Sequence, residues 1–239
     1  MHAPAPRTAT DQYWLGMRMF APVAISIAAY GLVWGVLAGQ AGLGVVEVAL
    51  MSGLVFAGSS QFVVLDMWSH DSLPIVSIVI ATAIINLRLL LMSATLRPLL
   101  SPLPRPAALG ATFFVSDESW AMTMAEVGKG KGSIAFYLGI GTLCWLSWMA
   151  STLIGRGLGA FIDDPTKYGL DFAFTATFLA LLFGMWKGRG DLVPWLVGAL
   201  AAIATSQLVE GNWYIMVGGL VGSLAGAIAD TIKERRVVA

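Results

Sequence analysis

The chain has 239 residues, 57% of them hydrophobic and 12% charged, with 14 basic and 14 acidic side chains in balance. Soluble domains carry about 25% charged residues, so this composition excludes an ordinary soluble domain and places the chain in a lipid bilayer. Zero net charge offers nothing to a nucleic-acid partner, and a single cysteine, Cys144, excludes an internal disulfide.

The N-terminal "MHAPAPRTATDQYW" is polar and Pro-rich. It lacks the basic-then-apolar opening of a cleaved signal peptide, so the first apolar segment is expected to stay in the mature protein. Apolar segments then recur at 20–39, 45–68, 74–94, 107–127, 133–155, 170–186, 193–209 and 213–229. Each is near the length that crosses a hydrocarbon core. The expectation is an all-α polytopic membrane protein of seven or eight transmembrane helices, some discontinuous, forming one membrane domain over 1–239.

The first segment carries Gly31, Gly35 and Gly39, and the last carries Gly218, Gly222 and Gly226. Glycines four apart let helix backbones approach closely. Such rows either pack the chain against itself or dock a partner subunit. The second segment contains "FAGSSQF", where Gly58, Ser59, Ser60 and Gln61 are consecutive helix-weakening residues. A break there frees backbone groups to line a substrate cavity. The opposing reading has the hydroxyls bonding back to earlier carbonyls and Gln61 bonding a neighbouring helix.

The third segment contains "INLR". Thr82, Asn86 and Ser93 form a polar stripe, and Asn86 joins the substrate-binding candidates, while Arg88 lies about 200° round the helix from Asn86. Four prolines in "RPLLSPLPRP" end this helix and the next. Counting from Leu103, Arg88 lies 15 residues before it, and Asp117 and Glu118 lie 14 and 15 after it. In an antiparallel pair these share a depth, roughly 15 Å into the segment. Arg88 is therefore expected to pair with Asp117 or Glu118. One acid is then left over, to hold a cation or ligand ammonium, or to carry a coupling proton. The run "SDES" is also a helix start, with Ser116 as N-cap and both acids in the first turn, where the helix dipole favours them.

If all eight segments cross with the N-terminus inside, nine Lys or Arg lie inside and four outside. If 107–127 does not cross and the N-terminus is outside, the balance is again nine to four. The positive-inside rule thus sets the C-terminus in the cytoplasm and leaves the parity open. An internal echo pairs "FAGSSQFVVL" with "FAFTATFLAL" and "LPIVSIVIAT" with "VPWLVGALAA", giving possible repeat halves at about 20–127 and 133–229. His2 and His70 stand alone, so neither metal nor cofactor is expected.

Four stretches, "YGLVWGVLAGQAGL", "LMSGLVFAGSSQF", "INLRLLLMSATL" and "FFVSDESWAM", make the region from about 14 to 160 resemble the AzlC-type branched-chain amino acid permeases. Members of that family often carry His or Tyr just after "NLR", where this chain has Leu89 and Leu90. The resemblance implies export of branched-chain or similar apolar amino acids across the cytoplasmic membrane. It also implies a small separate AzlD-type membrane subunit. The residues alone point to a small-molecule transporter. An intramembrane enzyme would need a metal motif or catalytic His that no segment contains, and a scaffold would leave the midplane charges unexplained.

Overall fold

A computed structural model describes residues 8–68, 73–159, 188–209 and 213–238, with isolated positions from 161 to 186. The segment expected at 170–186, and with it the "FAFTATFLAL" member of the echo, lies outside the described residues apart from those positions. Among the described residues there are helices and turns and no strand. Four helices are long and apolar enough to cross a membrane. The chain divides into two compact units, one of Met1–His70 and Asn86–Leu170, the other of Asp71–Ile85 and Asp171–Ala239.

The frame of the first unit is α1 (Ala9–Gln40) against α8 (Ile134–Gly159). Thr8 starts α1 with a capping box, its hydroxyl accepting from the Asp11 N–H. The two helices pack closely because glycines replace side chains between them. A Cβ on Gly16 would meet the Phe136 carbonyl, on Gly35 that of Thr152, on Gly139 that of Tyr13 and on Gly155 that of Leu32. The matched positions rise together, from Gly16 beside Phe136 to Gly35 beside Thr152, so α1 and α8 run parallel.

Two broken segments lie inside this frame. The first is α2 (Val45–Leu50), a wide turn at Met51–Val55, and α3 (Gly58–Asp66). The second is α6 (Arg105–Thr112) and α7 (Asp117–Gly128). Between them run α4 (Ile75–Thr95) and the short α5 (Arg97–Leu100). The sequence reads 45–68 as a crossing with a break and leaves open whether 107–127 crosses; in the structure each enters and turns back.

Their contacts give the directions. Arg156 Nε donates to the Leu43 carbonyl and Trp145 Nε1 to that of Gly53, so α2 runs against α8. Asn86 meets Ser60 and Arg88 meets Ser59, so α3 runs against α4. Leu96 and Leu100 cluster with Tyr137 near the start of α8, so α4 descends to that end; α3 therefore climbs back to where α2 began. In the second segment the Tyr137 hydroxyl donates to the Ala111 carbonyl, and Phe114 and Ser116 lie against Gly141 and Cys144, so α6 runs with α8. Asp117 then meets Arg88, and Trp120 meets Thr95, so α7 follows α4 back down. Both segments are hairpins, entering from opposite ends with their tips about halfway along α8.

In the second unit α9 (Leu192–Leu208) and α10 (Trp213–Val238) form an antiparallel pair. Gly218 and Gly222 lie against Gly198, and Gly226 against Pro194.

Candidate functional site

The first hairpin turns at Phe56 and Ala57, two residues before the run that sequence singled out. Phe56 takes a left-handed conformation (φ 46°) and Ala57 an extended one. Gly58, Ser59, Ser60 and Gln61 form the first turn of α3 rather than the break itself. Gln61 holds the turn. Its Oε1 accepts from the Ala57 N–H at 3.2 Å and from Trp148 Nε1 at 3.1 Å, while its Nε2 donates to Ser52 Oγ at 3.4 Å. Ser60 Oγ donates to the Ala57 carbonyl at 2.9 Å. Gln61 and Ser60 are both buried, so their polar groups satisfy a backbone that would otherwise be orphaned in lipid. Gly58 is where a side chain would meet the Trp148 ring.

The second hairpin turns at 113–116. Ser116 is the N-cap of α7 in a reciprocal pair with Ser119, whose hydroxyl accepts from the Ser116 N–H at 2.8 Å. Asp117 and Glu118 fill the first turn. The positive ends of α3 and α7 thus lie at similar depth, and carboxylates are favourable at such an end. The tips touch: the Phe56 and Phe113 rings are 5.7 Å apart, with Phe114 edge-on to Phe113 at 5.2 Å.

Arg88 joins the two tips. Its Nε donates to Asp117 Oδ1 at 3.0 Å, and its Nη2 donates to Asp117 Oδ2 at 3.0 Å and to Ser59 Oγ at 2.8 Å. This forked pairing suits a planar guanidinium. The side chains are 34% and 49% exposed, so the pair is reachable rather than sealed. Asn86 Nδ2 donates to Ser60 Oγ at 3.2 Å.

Of the residues singled out in the sequence, Ser59, Ser60, Asn86, Arg88 and Asp117 form one connected network, and Glu118 stands beside it. Glu118 is partly buried and makes no hydrogen bond or ion pair among the described residues. Two neighbouring aromatics point away from the network: Phe62 stacks on Tyr30 at 4.7 Å, and Trp120 donates to Thr95 at 2.7 Å. Both glycine rows are occupied inside the chain, Gly31, Gly35 and Gly39 against α8 and Gly218, Gly222 and Gly226 against α9. Sequence reasoning missed Trp148, Ser52 and Tyr30; Trp148 is 87 residues from Gln61, and no local signal links them.

Comparison with known proteins bears on this architecture. The family model described as AzlC protein matches residues 22–162, the stretch that holds the later part of α1, both hairpins, Arg88 and α8. The chain belongs to the AzlC family. An uncharacterized membrane protein of Archaeoglobus fulgidus is 30% identical over 206 residues, 85% of this chain and 89% of that one. The inner membrane protein YgaZ of Escherichia coli is 27% identical, over 94% of this chain and 93% of its own. The branched-chain amino acid transport protein AzlC of Bacillus subtilis is 26% identical, over 86% and 82%. No solved structure matches the chain. This AzlC-family chain is a helical membrane protein, and its family membership and relatives support membrane transport in general.

Proposed function

We propose that this protein exports branched-chain or similar apolar amino acids across the cytoplasmic membrane, working with a small membrane subunit. One observation carries the reading: a reachable Arg88–Asp117 ion pair lies where two helix starts meet, halfway along the frame helix α8. An unprotected charge at that depth costs at least about 2.5–3.5 kcal/mol, so charges persist there when a function needs them. The chemistry suits a zwitterion. Ser59, the N–H groups opening α3 and Arg88 are donors for a carboxylate. Asp117 or Glu118 is the acceptor for an ammonium, and Phe56, Phe113 and Phe114 offer an apolar wall. The name of the Bacillus subtilis relative supports the substrate class. The partner rests on family resemblance alone, since neither glycine row is open to it.

The test is counterflow of radiolabelled leucine, isoleucine and valine into proteoliposomes, with and without the candidate small subunit. Accumulation that needs both proteins and is lost in the Asp117→Asn/Glu118→Gln variant is the expected result. Accumulation by this chain alone would remove the partner requirement. None under either condition would leave the chain as an assembly subunit.

A further inference from the structure

Around the Arg88–Asp117 pair, three oxygen groups have nothing to bond among the described residues. Tyr30 Oη and Asn86 Oδ1 are closed to solvent and have no hydrogen-bond partner there. Glu118 makes no hydrogen bond or ion pair among the described residues. They belong to one neighbourhood. Asn86 is held by Ser60, two residues before Arg88 on α4. Glu118 follows Asp117 at the start of α7, and Tyr30 lies within electrostatic reach of both Glu118 and Arg88. The Tyr30 ring is fixed by stacking on Phe62 at 4.7 Å and by Trp148 at 5.7 Å, so its hydroxyl is pre-positioned.

Unpaired buried oxygens are costly, and cost less once a donor arrives. All three groups accept, one of them anionic. A primary ammonium brings three N–H donors and one positive charge, which matches two neutral acceptors and a carboxylate. We infer that Tyr30, Asn86 and Glu118 form an ammonium subsite that binds the amino group of the transported zwitterion. The assignment deepens the amino-acid reading above and rests on it. Asp117 is committed to Arg88, so Glu118 supplies the charge.

The test is thermal unfolding of the purified full chain with L-leucine or N,N-dimethyl-L-leucine, in sodium and in choline buffer, for wild type, Tyr30→Phe and Glu118→Gln. Dimethylation keeps the charge and leaves one N–H donor of three, which the Glu118 carboxylate takes in place of Tyr30 and Asn86. Without ligand, Tyr30→Phe unfolds no lower than wild type, because its hydroxyl has no partner to lose. It weakens leucine binding about tenfold, the effect of one hydrogen bond to a charged group, and changes dimethyl-leucine binding less than twofold. Glu118→Gln weakens both ligands at least tenfold. A lower melting point for unliganded Tyr30→Phe, or equal losses for both ligands, would overturn the subsite. So would stabilisation by sodium alone that Tyr30→Phe abolishes, since the acceptors would then hold a metal cation. Leucine binding that ignores Tyr30 and Glu118 defeats this assignment only. No binding of any amino acid by wild type defeats the function proposed above as well.

Discussion

Arg88 shows how far residue-level reasoning carries. Counting outward from the proline-rich turn places it level with Asp117, because α4 and α6 are antiparallel arms of equal length about that turn. The count is blind to Ser59, which reaches the same guanidinium from the other hairpin. The pair is partly exposed, so its coupling falls between the about 0.2–1 kcal/mol of surface pairs and the about 3–5 kcal/mol lost on breaking a buried one. A stability cycle of Arg88→Ala, Asp117→Ala and the double variant is expected to show about 1–2 kcal/mol of coupling; additive losses would refute an energetic pairing. Residues of the "GSSQ" run also separate by role. Sequence treats the four alike, whereas folding buries Ser60 and Gln61 and leaves Ser59 half-buried. In a Cys144→Ala background, cysteine at Ser59 is expected to react with small aqueous thiol reagents and to be protected by leucine. Cysteine at Gln61 is expected to stay unreacted, and rapid labelling there would show that the turn is not held as described.

At the scale of elements, the helical content and the breaks are legible, and the return paths are not. An apolar segment of about 20 residues is long enough for a crossing whether it continues or doubles back, since hydropathy reports length and not direction. The turn at Phe56 and Ala57 itself carries neither Gly nor Pro, and only the "GSSQ" run just after it marks the place. The turn at Ser116 is visible because a capping sequence names it. Direction follows only from pairings across long separations, such as Tyr137 with Ala111 and Asn86 with Ser60. The hairpins change sidedness. The start of α1 and the 97–105 loop share a face, whereas both parities drawn from the sequence place Arg18 and Arg97 on opposite faces. Arg18, Arg97, Arg105, Lys129 and Lys131 now gather at one end, with Arg156 at the other, a cleaner fit to the positive-inside rule. Cysteines replacing Ala9, Ser101 and Lys131 should therefore label from the cytoplasm with an impermeant reagent, and one replacing Gly157 from outside. Labelling of Ser101→Cys and Lys131→Cys from opposite faces would disprove the second hairpin.

For the whole molecule, the parallel α1–α8 pair is the frame on which both tips are hung. Its glycines are not interchangeable. A side chain at Gly35 or Gly155 meets a backbone carbonyl, while Gly157 faces open space. Gly35→Leu and Gly155→Leu are expected to destabilise by at least about 1–3 kcal/mol, the cost of overpacking, with Gly157→Leu near neutral. Melting temperatures in detergent measure this, and equal shifts for all three would show that the close approach is not required.

The same pair has a consequence for how the chain is made. Parallel neighbours cannot be joined by a short loop, and 119 residues separate the end of α1 from the end of α8. At a synthesis rate of about 5–20 residues per second, α1 enters the membrane on the order of ten seconds before its partner is complete. During that interval its glycine face meets lipid or an insertion chaperone instead of α8. Nascent chains halted before residue 134 should expose that face to photocrosslinking from Gly35, and chains halted after α8 has inserted should not. The interval is a window for quality-control proteases, set by chain topology rather than by the stability of the finished protein.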